Sequence, residues 1–300
     1  MDLRQIRYFL AVVDEGGFTA AGLALQIAQP SLSNAIATLE RRLGTPLFVR
    51  HPKGVRLTPA GEALVPPARQ IIRDFQLADE AVSSVLGLEG GAIALTASRA
   101  IAVDPLAGWV GAFRRQYPKV SVRVSEPHNN QELITLVAEG QCELGFLYPD
   151  PTTDDEVERS GLTLREIGSH EYLLVCPPGT DLPEEATRWA SLRDIAWVAP
   201  PSGAPTRDFV VNRLGEAGVA AKLMVVAETR EMLLPLILSG AGVSMLPAGE
   251  ARSAAALGCV IRPMDPPLVR RLGLIHRRGV LSPGTKALLR VIRKDRERPA

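Results

Sequence analysis

The sequence predicts a multidomain α/β protein with a small helical head, a long connecting helix and a larger region of alternating strands and helices. Two closely spaced helices and a hairpin are indicated near the start, and an apolar heptad pattern follows them. From position 92 onward, strand and helix periods alternate. A chain of 300 residues, 46% of them hydrophobic, is long and apolar enough to form two or three cores.

The head is predicted to contain a helix, a short turn and a second helix over residues 18–43. Thr19 is expected to cap the first helix, with Phe18 packed on Leu23 as a hydrophobic staple. The second helix is expected to begin within residues 28–31, because proline is tolerated in a first turn. Apolar residues then recur at spacings of four, three and four, which predicts a buried stripe of Leu32, Ile36, Leu39 and Leu43.

The face opposite this stripe carries small and polar side chains, which can enter a DNA major groove and bond to base edges. A wing-like hairpin with strands at 47–50 and 55–57 is predicted next. Five cations and no acid lie between Arg41 and Gly61, which is typical of a phosphate-facing surface. Each feature alone is common in proteins that bind no DNA, but their occurrence in this order favours DNA binding. The candidate contact residues are Thr19, Gln29, Pro30, Ser31, Ser33, Asn34, Thr38, Arg41, Arg50, Lys53 and Arg56.

Seven short runs occur in order near the start: LRQIRYF at 3–9, GFTAA at 17–21, AQPSLS at 28–33, LE at 39–40, LG at 43–44, LF at 47–48 and LTPAG at 57–61. On these runs, the first ninety residues resemble the winged helix-turn-helix and linker helix of the LysR-type transcriptional regulators. Gly22 and Ala28 depart from the residues more frequent in that family, Ala and Ser. Losing the serine cap at position 28 is expected to weaken that helix start by about 1 kcal/mol. Asn34 and Ala37 replace larger polar residues on the reading face.

Charge and cysteine content narrow the class of protein. Residues 1–59 carry seven Lys and Arg against four acids, net +3, whereas the whole chain is only +1, so affinity for DNA is expected at one end. Cys142, Cys176 and Cys259 lie far apart, with no CxxC pair, which predicts buried thiols in a reducing compartment and no metal site. No apolar run suits a signal peptide or a membrane span, so we expect a cytoplasmic protein.

A long helix is predicted after Thr58 and Pro59, which form a good cap and first turn. Its apolar residues alternate spacings of four and three, which predicts a self-pairing heptad seam over residues 59–90: Leu64, Ala68, Ile71, Phe75, Ala78, Val82 and Val85. A lone apolar stripe usually covers its own domain, but this helix is expected to lie between two domains with nothing else to cover it. Pro66 and Pro67 are expected to kink it, and glycines at 87–91 to form a hinge.

The remaining region, 91–300, has strand, helix, strand patterning, with alternating apolar residues at 93–97, 120–124, 143–148, 172–175, 196–199, 223–227 and 243–246. Its order is similar to the effector-binding domain of the LysR-type regulators, which resembles a two-lobed periplasmic solute-binding fold. The resemblance implies a winged helix-turn-helix domain at 1–58, a first lobe at 91–162 plus 268–300, and a second lobe at 163–267. Two crossings of the chain would make a hinged cleft.

Ligands of open parallel sheets sit beyond the carboxyl ends of the strands, where helix N-termini offer unpaired N–H groups. Three short polar segments fall at such ends, and the first and third correspond to places where the family holds its effector. The candidate effector residues are Ser98, Arg99, His128, Asn129, Ser202, Gly203, Thr206 and Arg207. Hydroxyls and arginines there suggest a small carboxylate. The alternative for each residue is ordinary helix capping.

Catalysis and transport are the competing functions. Ser98 or Ser202 with His128 or His170 would make an imaginable triad, but neither serine lies in a GxSxG turn. Gly240-Ala241-Gly242 lacks the third glycine and helix of a dinucleotide loop, so no cofactor is expected. A transport-type binding protein would need an export signal and no DNA-binding head. The resemblance therefore implies a non-enzymatic regulator whose partners are promoter DNA, a small effector, a second copy (as a dimer or a tetramer of paired dimers) and RNA polymerase.

Overall fold

The computed structural model describes residues 1–51, 54–85, 91–182, 187–202 and 204–297, with side chains described for all of these except 50, 54, 76, 77, 79–85 and 205. The head and linker consist of α1 (Leu3–Asp14), α2 (Phe18–Ala24), α3 (Gln29–Leu43), β1 (Phe48–His51), β2 (Gly54–Leu57) and α4 (Pro59–Val85). The predicted helix pair, hairpin and long helix are therefore present in the predicted order.

Local signals account for most boundaries in the head. Asp2 and Gln5 form a reciprocal capping box at the start of α1. Pro30 lies in the first turn of α3, where it sacrifices no hydrogen bond, and α3 ends at Gly44 with φ of 74°. β1 pairs antiparallel with β2 from Phe48 opposite Leu57 onward, so the wing is a regular two-stranded hairpin.

Two expectations about these helices are wrong. Thr19 does not cap α2, because the helix already includes Phe18 and its cap position is Gly17, which makes no side-chain hydrogen bond. Leu23 is 77% exposed, so no staple forms; Phe18 packs instead on Phe48 of the wing, with ring centroids 5.6 Å apart. The aromatic contact with the wing buries Phe18 better than an exposed helix face would.

The stripe on α3 is shorter than expected. Leu32, Ile36 and Leu39 are fully buried, but Leu43 is 41% exposed because the helix ends there, beyond the head core. The buried residues pack against Phe9 of α1 and other apolar side chains of the head. Three residues thus suffice to fix which face of α3 is turned outward.

α4 begins as predicted and then joins two parts of the chain. The Thr58 hydroxyl accepts a hydrogen bond from the Gly61 amide at 3.0 Å, and the helix continues through Pro66 and Pro67. Arg69 donates to Asp14 Oδ1 of α1 at 2.8 Å, and its Nε lies 3.7 Å from Glu139 Oε2 in the α/β region. One side chain on α4 therefore contacts both the head and the α/β region.

Only part of the expected seam on α4 is exposed and available to pair with a second chain. Ala68 is fully buried and Leu64 half-buried in the head core, so these two pack within their own chain, contrary to the expectation that nothing covers the stripe. Ile71, Phe75 and Ala78 are exposed. The side chain of Val82 and residues 86–90 lie outside the described residues, as does most of the expected hinge.

The α/β region contains the strands β3 (Ala92–Ala97), β4 (Ser121–Ser125), β5 (Leu144–Leu147), β6 (Leu162–Cys176), β7 (Thr187–Arg188), β8 (Ala196–Ala199), β9 (Lys222–Val226), β10 (Ser244–Pro247), β11 (Val260–Arg262), β12 (Met264–Asp265) and β13 (Leu268–Arg277). Its helices are α5 (Arg99–Ile101), α6 (Ala107–Gln116), α7 (Asn130–Ala138), α8 (Pro151–Arg159), α9 (Pro205–Glu216), α10 (Leu233–Leu238), α11 (Ala248–Ala256) and α12 (Pro283–Arg296).

Two long antiparallel strands hold this region together. β6 and β13 pair from Tyr172 opposite Leu268 to Leu162 opposite Arg277. They lie in one sheet ordered β10-β6-β13-β5-β3-β4, in which β3 is parallel to both β4 and β5. β8 and β9 form a separate parallel pair. The sequence indicated only the end of β6, because the earlier part of this strand lacks a clear alternation of apolar residues.

Separate hydrophobic cores lie toward opposite ends of these long strands, one at Leu272 and Leu274 of β13 and the other at Leu268 of β13 and Leu174 of β6. One contains Leu95 and Phe113 with their neighbours, and the other contains Trp197 and Leu214. This arrangement matches the predicted α/β architecture with two lobes. Among the helices in the described part of the chain, none is both long enough and apolar enough to cross a membrane.

Candidate DNA interface and interlobe cleft

The outward face of α3 carries the polar side chains expected there. Ser31, Asn34, Thr38 and Arg41 are exposed and Ser33 is half-buried. Arg41 folds back along the helix, donating from Nη2 to Thr38 Oγ1 at 3.0 Å, while the Thr38 hydroxyl donates to the Asn34 carbonyl oxygen at 2.8 Å. These contacts hold Arg41 along the helix, and among the described residues the Asn34 side chain makes no hydrogen bond.

Glu40 fixes the wing to this helix, a role that the sequence did not suggest. Its Oε1 accepts hydrogen bonds from the amides of Leu47 at 2.7 Å and Phe48 at 3.3 Å. A carboxylate accepting two backbone N–H groups ties β1 to α3 without using a residue of the outer face. The available signal in the sequence was an acid next to Leu39 of the buried stripe, in a segment otherwise rich in arginine.

The remaining head candidates are distributed around this face. Gln29 and Pro30 are exposed in the first turn of α3, and Thr19 is exposed near the start of α2. Arg56 is exposed on β2, where it pairs opposite Val49. Lys53 and the Arg50 side chain lie outside the described residues. These described candidates are therefore exposed on α2, α3 and β2, the elements of the helix pair and the wing.

Arg99 does not offer an unpaired charge to a ligand, contrary to expectation. It follows β3, where its Nε donates to Glu126 Oε1 at 2.5 Å and its Nη1 to Glu231 Oε1 at 3.0 Å. The hydrogen bond to Glu126 raises the pKa of Arg99 above its ordinary value, with further attraction from Glu231. Glu126 and Glu231 come from opposite sides of the proposed cleft, so Arg99 links the two sides.

The expected segment before α7 is used for helix capping. Asn129 Oδ1 accepts from the Glu132 amide at 2.9 Å, and the His128 amide donates to Glu132 Oε2 at 2.6 Å. These are the reciprocal contacts of an ordinary N-terminus. Asn129 therefore acts as a helix cap, which was the alternative to ligand binding. Both residues are exposed.

The other expected ligand residues lie at the starts of helices. Ser98 is half-buried after β3, and its amide donates to the Phe146 carbonyl oxygen at 2.9 Å. Thr206 lies in the first turn of α9, whose cap position makes no side-chain hydrogen bond. Arg207 Nη1 donates to the Pro200 carbonyl oxygen at 3.2 Å. Ser202 is exposed, and Gly203 lies outside the described residues.

A cluster that the sequence did not reveal lies where the long strands meet the lobes. We call Tyr148, His170, Tyr172, Phe209 and Arg270 the hinge cluster. The guanidinium carbon of Arg270 lies 4.0 Å from the centre of the Tyr148 ring and 4.9 Å from that of Phe209. Arg270 Nη1 and the Tyr172 hydroxyl have no accessible surface and no hydrogen bond of normal geometry among the described residues.

The polar contacts of the hinge cluster continue to Asp104. Tyr148 Oη and His170 Nδ1 are 2.8 Å apart, and His170 Nε2 lies 3.5 Å from Asp104 Oδ2. The hydrogen bond with His170 lowers the pKa of Asp104, and the Gly249 amide adds to this. Burial raises the pKa of Tyr148 well above its ordinary range. The sequence carried only a weak indication of this cluster, in the form of polar side chains within predominantly apolar strands: His170 and Tyr172 in β6 and Arg270 in β13.

The three cysteines are buried thiols, as the sequence predicted. Cys142, Cys176 and Cys259 are all buried and unbridged, and burial raises the pKa of Cys176 to about 11. In the part of the chain that is described, no three His, Cys, Asp or Glu side chains come together as metal ligands.

Comparison with known proteins agrees with this geometry along the whole chain. Residues 3–62 match the model of the "Bacterial regulatory helix-turn-helix protein, lysR family", and residues 86–297 match the "LysR substrate binding domain". The chain is 31% identical to the nitrogen assimilation regulatory protein nac of Klebsiella aerogenes, over 100% of this chain and 97% of that protein. It is 27% identical to the transcriptional dual regulator GltC of Bacillus subtilis, over 92% of this chain and 90% of GltC.

Solved structures show the same fold. A full-length OxyR variant from Pseudomonas aeruginosa aligns with a TM-score of 0.73 at 20% identity, over 98% of this chain and 95% of that one. CbnR, a LysR family transcriptional regulator, aligns with a TM-score of 0.64 at 20% identity, over 99% and 100% of the two chains. With both domain models matched in order, the chain belongs to the LysR family of DNA-binding transcriptional regulators, with a helix-turn-helix head and an effector-binding domain.

Proposed function

We propose that this regulator reads a promoter sequence with α3, holds the DNA backbone with its wing, and responds to a small carboxylate bound between two lobes. The lobes are residues 91–162 with 268–300, and residues 163–267, joined by β6 and β13. The observation that carries the DNA part is the exposed polar face of α3, to which Glu40 anchors the wing. A helix and hairpin fixed to each other can meet base edges and phosphates at once.

Asn34 and Arg56 have different roles in this proposal. Asn34 lies in the middle of the outer face, where an amide can make two bonds to a base edge. Arg56 lies on β2, where a guanidinium meets phosphate oxygens and carries no sequence information. Their removal should therefore change specificity and salt dependence respectively.

The test measures binding of Asn34→Ala and Arg56→Ala to a promoter fragment selected from host DNA and to random DNA. Asn34→Ala should lose about 1 to 3 kcal/mol on the selected site alone. Arg56→Ala should weaken both complexes and reduce the salt slope by about one unit. Asn212→Ala, an exposed asparagine on α9, is the matched control. Equal loss on both DNAs for Asn34→Ala would contradict base reading.

The effector part of the proposal rests on Arg270. Arg99 is neutralised by two glutamates and Arg207 is turned to a carbonyl oxygen, whereas Arg270 Nη1 is buried without a partner among the described residues. A guanidinium N–H buried without a hydrogen-bond acceptor is costly, and an anion bound beside Arg270 would reduce that cost. The two aromatic rings hold it in place and offer an apolar surface to the body of a ligand. Ser98 and Thr206 are the proposed hydroxyl contacts on either side.

This part is tested by thermal unfolding in sodium malonate or succinate, with malonamide and succinamide as uncharged counterparts at equal ionic strength. The two carboxylates should raise the melting temperature of the wild type and of Arg271→Met, and leave Arg270→Met unchanged. Arg271 is the control because its side chain lies outward, beside Asp154 and Glu166. An equal response to the amides, or none to either acid, would contradict a carboxylate effector.

We also propose that the molecule acts as a non-catalytic regulator in the cytoplasm, where it can reach promoter DNA, and that RNA polymerase is a partner. Self-association through α4 is proposed on Ile71 and Phe75, apolar residues that remain exposed on one chain. A two-fold dimer would place two heads on adjacent half-sites, and a pair of dimers would give a tetramer.

A further inference from the structure

A cavity of about 880 Å³ lies between α4 and the edge of the sheet where β3 and β4 begin. Its lining includes four arginines, Arg73, Arg123, Arg277 and Arg278, against two acids, Asp74 and Glu143. Ser98 and the other proposed effector residues follow the opposite ends of these strands. The cavity is therefore separate from the proposed cleft between the lobes.

Arg73 connects the linker helix to this cavity. Its Nη1 donates to the Glu139 carbonyl oxygen at 2.7 Å and its Nη2 to Gln70 Oε1 at 2.5 Å. Its Nε is buried without a hydrogen-bond partner among the described residues. The guanidinium occupies the space beside Gly140, where any Cβ would overlap it. Gly140 also has φ of 75°, a conformation that favours glycine. The close approach of α4 to this turn thus depends on a residue without a side chain.

A second guanidinium is buried beside the first. Arg277 Nη1 donates to the carbonyl oxygens of Val137 and Cys142, so both arginines meet the C-terminal end of α7. Burial, and then the charge of Arg277, lowers the pKa of Arg73 to about 10. Burial also lowers the pKa of Arg277. Two like charges are therefore held close together, and partial burial adds to the cost of keeping both charged.

The two acids of the lining offset this charge only in part. The charges of Asp74 and Glu143 oppose the lowering of the pKa of both Arg73 and Arg277, but burial prevails. Asp74 accepts a hydrogen bond from Gln70 at 2.6 Å, and Glu143 accepts one from the Ser282 amide at 3.2 Å. Among the described residues, neither acid comes within ion-pair distance of any of the four arginines. The cavity is thus a cationic site, with four arginines against two acids in its lining.

We propose that this cavity binds a small molecule bearing a phosphate-like oxyanion, distinct from the ligand of the cleft. Guanidinium groups match the oxygens of phosphate with paired hydrogen bonds, and the volume leaves room for an organic body. The bound anion would bond to the exposed Arg123 and Arg278, and its charge would lie beside those of Arg73 on α4 and Arg277 on β13. It would therefore fasten the linker helix to the effector domain, and so bear on where the DNA-reading head lies.

The test is calorimetric titration of the full-length protein, without DNA, with inorganic phosphate at constant ionic strength in potassium chloride. Glycerol 3-phosphate is titrated in parallel: tighter binding would indicate an organic phosphate, and equal binding would indicate the inorganic ion. The double variant Arg123→Gln/Arg278→Gln should bind phosphate about tenfold more weakly, because two charge-assisted contacts are removed. Both residues are exposed, so the fold is expected to survive.

Two further double variants separate this cavity from general attraction of anions. Arg188→Gln/Arg193→Gln removes the same charge from the exposed surface of the second lobe, and Arg41→Gln/Arg56→Gln removes it from the head. Both should retain wild-type phosphate affinity. Loss of binding in the head variant, undiminished binding in Arg123→Gln/Arg278→Gln, or no phosphate heat beyond that of chloride would each overturn the proposal.

Discussion

A glycine at the start of α11 allows the two sides of the cleft to touch. A Cβ added to Gly249 would lie no more than 3.0 Å from three side-chain atoms of Asp104, a separation that real atoms do not tolerate. Asp104 accepts from the Gly249 amide and lies beside His170 Nε2. We therefore expect Gly249→Ala to push the Asp104 carboxylate away from both partners.

Two opposing effects set the magnitude. Replacing a helical glycine by alanine ordinarily stabilises a protein by about 0.5 to 1 kcal/mol. Losing hydrogen bonds to a charged group costs about 1.5 to 3 kcal/mol, and the lower end applies because Asp104 remains one-third exposed. The free energy of unfolding should therefore fall by about 1 kcal/mol in Gly249→Ala. A glycine-to-alanine substitution in a helix without such a clash should instead raise it.

Urea unfolding followed by tryptophan fluorescence measures this difference, because Trp109, Trp189 and Trp197 all lie in the α/β region. Gly111→Ala in α6 is the matched control, since its Cβ would meet only Arg115 Nη1 at 3.7 Å, an ordinary contact. That variant should be about 0.5 to 1 kcal/mol more stable than wild type.

A double-mutant cycle identifies the cause. In an Asp104→Ala background the carboxylate is absent, so the cost of Gly249→Ala should largely disappear. The reasoning is refuted if Gly249→Ala is as stable as Gly111→Ala, or if it costs the same with and without the Asp104 carboxylate.

Two other predictions concern assembly and acid stability. Phe75→Asp should halve the molecular mass measured by light scattering, because it places a charge in the proposed dimer seam. The head should stay folded, because Phe75 is 46% exposed and Arg7, 5.9 Å from its ring, can pair with the new acid. Leu23→Asp, at an exposed leucine outside the seam, is the control, and equal masses for the two variants would argue against the seam. The lowered pKa of Asp104 gives stability that is complete above its ordinary pKa, about 4, and is lost as pH falls through the lowered value. Wild type should therefore lose more stability than Asp104→Asn between about pH 4 and 2, and parallel curves would contradict this.

The head could be predicted almost completely because its signals are local. The spacing of Leu32, Ile36 and Leu39 fixes the outer face of α3, and Gly44 ends it. The errors arose where a distant contact replaced a local one. Phe18 packs on the wing rather than on its own helix, and Ala68 is covered by the head core rather than by a second chain.

The cleft was less predictable, since its contacts join residues far apart in the chain. Arg99 meets Glu231, 132 positions away, and no local pattern marks that carboxylate as its partner. Arg270 reaches Tyr148 only because β13 pairs with both β6 and β5. A sequence can indicate which loops border a cleft, but the pairing of charges within it depends on sheet register.

The position of Arg69 bears on the construction of hybrid regulators. Its contacts with Asp14 and Glu139 mean that α4 is fitted to the head on one side and to the effector domain on the other. A transplanted head that lacks an acid at position 14 would leave a mostly buried guanidinium with only the longer contact. A hybrid that joins the head of one relative to the effector domain of another should therefore keep Asp14, Arg69 and Glu139 together. The matching acids must be present on both sides of the junction.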